Sequence, residues 1–375
     1  MSYDFLLTIA IIMLFTKVFG LTSERVHMPQ VVGALIAGVL VGPSCLGWVG
    51  ETDFLVKAAE IGVIILMFNA GMDTDLDELK TTGFASFVIA LIGVVVPLIG
   101  GVACYLAFDN DPTDPMNMLK AAFIGVVLTA TSVSITVETL REMGKLKGKV
   151  GTTILGAAVI DDIIGIIVLT IVTSLKDTSV SPITVVLKIV LYFVFIAVLI
   201  FVLTKLKVFV EEQDEKRRTA IICVALCFIL SYISEEYFGI ADITGAYFAG
   251  LMLCTMKVGP YVARRCEIPS YLIFSPVFFA SVGLKVTLGG MDASIWIFAI
   301  ILLVIAILSK VVGCGLGAKI CGCTGKEAFQ VGIGMISRGE VALIVAQKGY
   351  ASGMLDDVLF APIVLVVIVT TLITP

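Results

Sequence analysis

The sequence predicts an all-α polytopic membrane protein with thirteen transmembrane helices, and three observations carry that expectation. Of 375 residues, 59% are hydrophobic and only 15% are charged, against about 25% charged in soluble domains. Apolar runs long enough to cross a hydrocarbon core about 30 Å thick recur along the whole chain. One of them, Gly151 to Ser174, carries two adjacent carboxylates near its middle, Asp161 and Asp162. At about 1.5 Å per residue, Asp161 lies roughly 15 Å inside that run, where an ionised acid costs at least about 2.5 kcal/mol. Intramembrane acids without a role are rare, so the pair points to a polar cavity that exchanges protons, binds a cation, or does both.

In chain order the apolar runs fall at 4–20, 29–46, 54–72, 84–107, 119–140, 151–174, 183–204, 219–237, 241–257, 270–288, 294–320, 327–349 and 358–375. The first lacks a basic leader and a small-residue cleavage site and reads as a retained helix. An odd number of spans puts the termini on opposite sides. The loops after spans 1, 3, 5, 7, 9 and 11 hold 16 of the 25 basic residues, including Arg141, Lys145, Lys147 and Lys149 after span 5 and Lys257, Arg264 and Arg265 after span 9. By the positive-inside rule the N-terminus faces out and the C-terminus faces the cytoplasm. The nine cysteines sit mostly in apolar runs as small packing residues. Cys321 and Cys323 lack a second ligand pair for zinc, and His27 reads as a loop residue.

The chain also repeats internally. GALIAG at Gly33 to Gly38 matches GAYFAG at Gly245 to Gly250, an offset of 212 residues, and Gly71 and Leu76 match Gly283 and Leu288 at the same offset. Seven spans separate the copies, so they enter the membrane from opposite faces: an inverted six-helix repeat, spans 1–6 against 8–13, with span 7 as linker. Small residues at Gly38 and Gly42 permit close packing, at or near a dimer contact. The pairing sets span 5 against span 12. Span 5 clusters Thr129, Thr131, Ser132, Ser134 and Thr136 at mid-depth, and span 12 reads VGIGMISRGEVALIVA with Arg338 and Glu340. Both are expected to be broken, crossed helices, because freed carbonyls and opposed helix ends can meet an ion there.

Helical rise places Asp161, Lys310 of span 11, Thr131 and Arg338 at about the same 15 to 18 Å from the cytoplasmic face. Lys310 can neutralise one buried acid and be neutralised in turn. A cation ligated by the acids would draw its partner away, so sodium and protons compete for one site.

The run ATSVSITVETLREMG, the VIDD of span 6, Lys310, and SRGEVALIVA resemble the bacterial sodium/proton antiporters of the monovalent cation:proton antiporter-2 family. AEIGVIILMFNAGMDTDLDEL and FFASVGLKVTL resemble its third and tenth helices. The resemblance implies a secondary transporter and not an enzyme, needing no cofactor, in a bacterial inner membrane. It implies that Asp162 is the principal cation ligand and proton carrier, with sodium held at Asp162 and Asp161, and that Asp161 pairs with Lys310 when no cation is bound. Thr131 and Ser132 would complete the site, while Glu340, Glu138 and Arg338 would offset the helix ends at the breaks. It further implies a homodimer built on a panel of residues 1–83 and 211–290, a core of 84–176 and 291–375 that moves against it, and a linker of 177–210. Asp161, where electroneutral relatives carry another residue, favours electrogenic exchange. The chain stops at Pro375, where the family's last helix usually continues, so a cytoplasmic tail is expected beyond it.

The nearest alternative is a potassium/proton antiporter or a glutathione-gated potassium efflux protein of the same superfamily. The gated branch usually carries a soluble nucleotide-binding domain and lacks the paired acids. A channel would need polar residues along its length, not in one layer, and an intramembrane aspartyl protease draws its acids from different helices. CGCTGKE lacks phosphate-loop spacing, and no nucleic-acid partner is implied.

Overall fold

Long apolar stretches leave the backbone no partner but itself, so the described residues are mainly helical. The computed structural model describes residues 3–25, 28–74, 76–109, 116–175, 182–211, 217–254, 256–285, 293–351, 353–355 and 357–375. His27 lies outside these residues. The helices are α1 (Asp4–Arg25), α2 (Gln30–Val41), α3 (Asp53–Asp73), α4 (Leu76–Phe108), α5 (Asn117–Thr129), α6 (Val133–Glu142), α7 (Lys149–Ser174), α8 (Pro182–Glu211), α9 (Arg217–Ile233), α10 (Asp242–Leu253), α11 (Gly259–Pro269), α12 (Ser275–Leu284), α13 (Ala293–Ile320), α14 (Gly325–Gly334), α15 (Glu340–Ala351) and α16 (Asp357–Ile373). Among the described residues, nine helical stretches are long and apolar enough to cross a membrane, with α2 and residues 359–373 as shorter apolar helices. Each of the thirteen apolar runs contains helix among the described residues; thirteen crossings remain an expectation.

Two runs divide where the sequence expects a break. Span 5 becomes α5 and α6, separated by extended residues at Ala130 (ψ 136°) and Ser132 (φ −85°, ψ 104°). Span 12 becomes α14 and α15. The first turn of α14 is fixed by a capping box: the Thr324 hydroxyl accepts from the Glu327 N–H at 3.3 Å, and Glu327 accepts from the Thr324 N–H at 2.7 Å.

Span 10 departs from its expected bounds. Residues read as a basic loop, Arg264 and Arg265 among them, are helical in α11, and a π-helical turn at Ser270–Phe274 carries the chain directly into α12. Pro260 sits in the first turn of α11, where its missing N–H costs nothing, and the π turn follows Pro269. A second π turn, Ser234–Phe238, ends α9 and is closed by Gly239 at φ +67°.

Glycines set the closest helix contacts. A Cβ added at Gly38 would strike the Ala280 carbonyl oxygen of α12, and one at Gly283 the Leu35 carbonyl oxygen of α2. A Cβ at Gly250 would strike the Phe68 carbonyl oxygen of α3, and one at Gly71 the Tyr247 carbonyl oxygen of α10. Adding 212 to Leu35 and Gly38, and subtracting it from Ala280 and Gly283, converts the first pair of contacts into the second. Gly38 and Gly42 both lie against α12 of the same chain, Gly42 beside Leu284, so the close packing expected of them is met within one chain. The sequence signal was for backbone approach, and an intrachain neighbour satisfies it.

Candidate functional site

α5 and α6 cross α14 and α15 at their breaks, and the crossing is hydrogen-bonded because each interruption frees polar groups that hydrocarbon cannot satisfy. The Ser132 N–H donates to the Ser337 carbonyl at 2.7 Å, and the Ser337 hydroxyl donates back to the Ser132 carbonyl at 3.0 Å. Thr136 on α6 donates to the Gly334 carbonyl at 2.8 Å and lies 2.8 Å from the Ser337 hydroxyl. Thr371 of α16 donates to the Arg338 carbonyl. Span 5's hydroxyl cluster thus serves in part to knit the crossing together.

Arg338, fully buried, lies in the break of span 12. Its Nη2 donates to the Leu128 carbonyl at 2.8 Å and the Ala306 carbonyl at 3.0 Å, and its Nη1 to the Ile336 carbonyl at 3.0 Å. These bonds put a cation at the C-terminal ends of α5 and α14, the negative poles of the two half-helices. Its bridge to Ala306 on α13 was not legible in the sequence, nor was Thr371, although adjacent threonines in the last apolar run were a signal for polar contact.

α7 and α13 bring the expected charge pair together. Lys310 Nζ donates to Asp161 Oδ1 at 3.0 Å and Oδ2 at 3.1 Å, with Lys310 0% and Asp161 1% exposed. Gly93 of α4 packs beside this pair: a Cβ there would collide with the Cys314 sulfur of α13. Thr131 and Arg338 also lie close enough to Asp161 to act on its charge. Asp162, 6% exposed, joins Asp161 in lining a cavity of about 30 Å³ with Thr129, Ala130, Val341 and Val345. That is about the volume of one water molecule. Two acids and two cations therefore share one buried layer, and the two carboxylates face a small cavity whose other walls are mainly apolar, with Thr131 and Ser132 outside its lining.

Two expected residues stand apart from this group. Glu138 lies in the middle of α6, away from the break, with Arg141 Nη1 3.9 Å from its carboxylate; its place one helical face round from the Ser132 and Thr136 contacts explains why it misses the crossing. Glu340 begins α15, and its side chain lies outside the described residues.

These features define a polytopic membrane protein whose buried charges meet where two interrupted helices cross. The chain belongs to the family described as sodium/hydrogen exchanger, transmembrane, which matches residues 9–375. The Na(+)/H(+)-K(+) antiporter GerN of Bacillus cereus is 40% identical over 377 residues, covering 100% of this chain and 95% of that protein. The Na(+)/H(+) antiporter of Enterococcus hirae is 37% identical, covering 99% and 96%. The fold is also that of the sodium proton antiporter MjNhaP1 from Methanocaldococcus jannaschii, with a TM-score of 0.67 at 17% identity over 98% of this chain and 94% of that one.

Proposed function

We propose that this protein is a secondary active sodium/proton antiporter, with Asp162 as the cation ligand and proton carrier and Asp161 and Lys310 as the coupled pair beside it. The observation that carries this reading is the fully buried Lys310–Asp161 contact at 3.0 Å next to Asp162, in a layer that also holds Arg338. Charge balance gives the cycle. With Asp162 protonated and Lys310 paired, the layer bears one net positive charge. A sodium ion ligated by both carboxylates displaces the Asp162 proton and draws Asp161 from Lys310, which then releases its own proton because a desolvated, unpaired ammonium is disfavoured. The loaded layer is neutral, so two protons leave for one sodium and the exchange is electrogenic.

The reciprocal glycine contacts related by the 212-residue offset support an inverted repeat with its axis in the membrane plane. On this reading α1–α3 and α9–α12 form the panel and α4–α7 with α13–α16 form the core, which carries the site from one face to the other; the N-terminus faces out and the C-terminus the cytoplasm. The panel is the dimerising surface. A relative named as an Na(+)/H(+)-K(+) antiporter, at 40% identity, favours potassium as a second transported cation. The test is a sodium gradient imposed on proteoliposomes holding a pH dye: proton movement opposite to sodium, lost in Asp162→Asn, is expected. Equal proton movement in the variant refutes the assignment.

A further inference from the structure

Panel and core touch at the inner ends of α3 and α6, and the contact there is ionic. Asp73, the last residue of α3, accepts from Arg141 at 3.2 Å and from Lys147 at 3.3 Å, both on core segments. Glu142 at the end of α6 accepts the backbone N–H of Gln30, first residue of α2, at 2.5 Å, so a core carboxylate caps a panel helix. Other ion pairs lie within one domain, among them Lys149 with Glu327 and Lys310 with Asp161 in the core and Lys285 with Glu51 in the panel.

Behind this contact lies an unsatisfied polar side chain. Asn69 precedes Asp73 by one helical turn and so shares its side of α3. It is fully buried, and neither amide atom has a hydrogen-bond partner among the described residues. Glu138, on the facing α6, is ion-paired with Arg141 at 3.9 Å and so belongs with the charges at the rim. Buried polar groups are normally paired, and each exception calls for a physical reason.

We propose that Asp73, Arg141, Lys147 and Glu142 form a clasp that holds the inner face shut, and that Asn69 biases the seam towards opening, so that these residues set how fast the site is exposed to the cytoplasm. The proposal rests on the antiporter reading and its division into panel and core. Partly exposed ion pairs contribute modestly each, which suits a contact that must break in every cycle. When the seam parts, water reaches Asn69 and removes the penalty of its burial. The closed state is thus held by charge at the rim and opposed by an unpaired amide within, a bistable arrangement.

The test combines hydrogen–deuterium exchange of residues 28–32 and 141–149 with sodium-driven proton transport in wild type, Asp73→Asn, Glu142→Ala, Asn69→Leu and Asp73→Asn with Arg141→Gln. Asp73→Asn and Glu142→Ala should raise amide exchange in these segments several-fold and change the apparent KM for sodium. The double variant should behave like Asp73→Asn alone with respect to that pair. Asn69→Leu should do the reverse: a higher melting temperature, slower amide exchange and several-fold slower turnover. Wild-type amide exchange in Asp73→Asn and Glu142→Ala, or a lowered melting temperature in Asn69→Leu, overturns the clasp. Absence of sodium/proton exchange in wild type instead defeats the antiporter reading itself, which keeps the two failures apart.

Discussion

Removing the charge of Lys310 tests the coupled pair where the structure is most explicit. At 3.0 Å and an effective dielectric of about 20, the gross attraction is on the order of 5 kcal/mol. Breaking a buried pair by deleting one partner costs about 3 to 5 kcal/mol, because the other charge is left behind. The loss expected for Lys310→Gln lies in this range, about 3 to 5 kcal/mol. Asp161→Asn should cost a similar amount, since it orphans the lysine. The double variant leaves no unpaired charge and should be more stable than either single one. Melting temperatures of wild type, both single variants and the double, measured in one detergent without sodium, give the coupling energy directly. Sodium-jump currents across supported membranes give the charge moved per cycle, which should fall in Lys310→Gln. Additive losses of stability together with unchanged charge per sodium would refute the pairing.

Other outcomes follow from the same geometry. Asp162→Asn should fold and insert normally yet lose exchange, because an amide cannot cycle a proton; transport assays on protein of unchanged melting temperature check it. Arg338→Lys should lower the melting temperature and impair transport, since a point-like ammonium cannot reach the Leu128, Ala306 and Ile336 carbonyls together; losing even one such charged bond costs about 1.5 to 3 kcal/mol. Gly71→Ala and Gly250→Ala should each destabilise by about 1 to 3 kcal/mol through overpacking against the facing carbonyl, whereas Gly83→Ala, inside α4 with open space at its Cβ, should stabilise by up to about 1 kcal/mol in the same thermal assay.

Helical rise put Lys310 at the depth of the two acids because charges in apolar runs are few, and the family resemblance singled out Asp161 as its partner. It located both helix breaks for a related reason: clustered hydroxyls, or Gly with Arg and Glu, have no use in an uninterrupted span. What it did not reveal depends on direction and not on depth. Arg338 reaches carbonyls on α5 and α13 that no side-chain pattern announces. Glu138, sharing span 5 with the site hydroxyls, points to Arg141 instead. The Gly38 and Gly42 pattern reported close packing correctly but could not say whether the neighbour belonged to the same chain. Residues Gly259–Pro269 read as a loop because their charges and prolines mask a helix that a π turn joins to α12.

The most direct test of competition between sodium and protons for one site needs no membrane. Purified protein in weakly buffered detergent solution is given sodium chloride, and released protons are followed with a pH dye. Wild type should release protons on sodium addition, Lys310→Gln should release fewer, and Asp162→Asn should release fewer still and bind sodium weakly. Proton release from Asp162→Asn equal to that of wild type, or sodium binding by wild type with no proton release, would contradict the account.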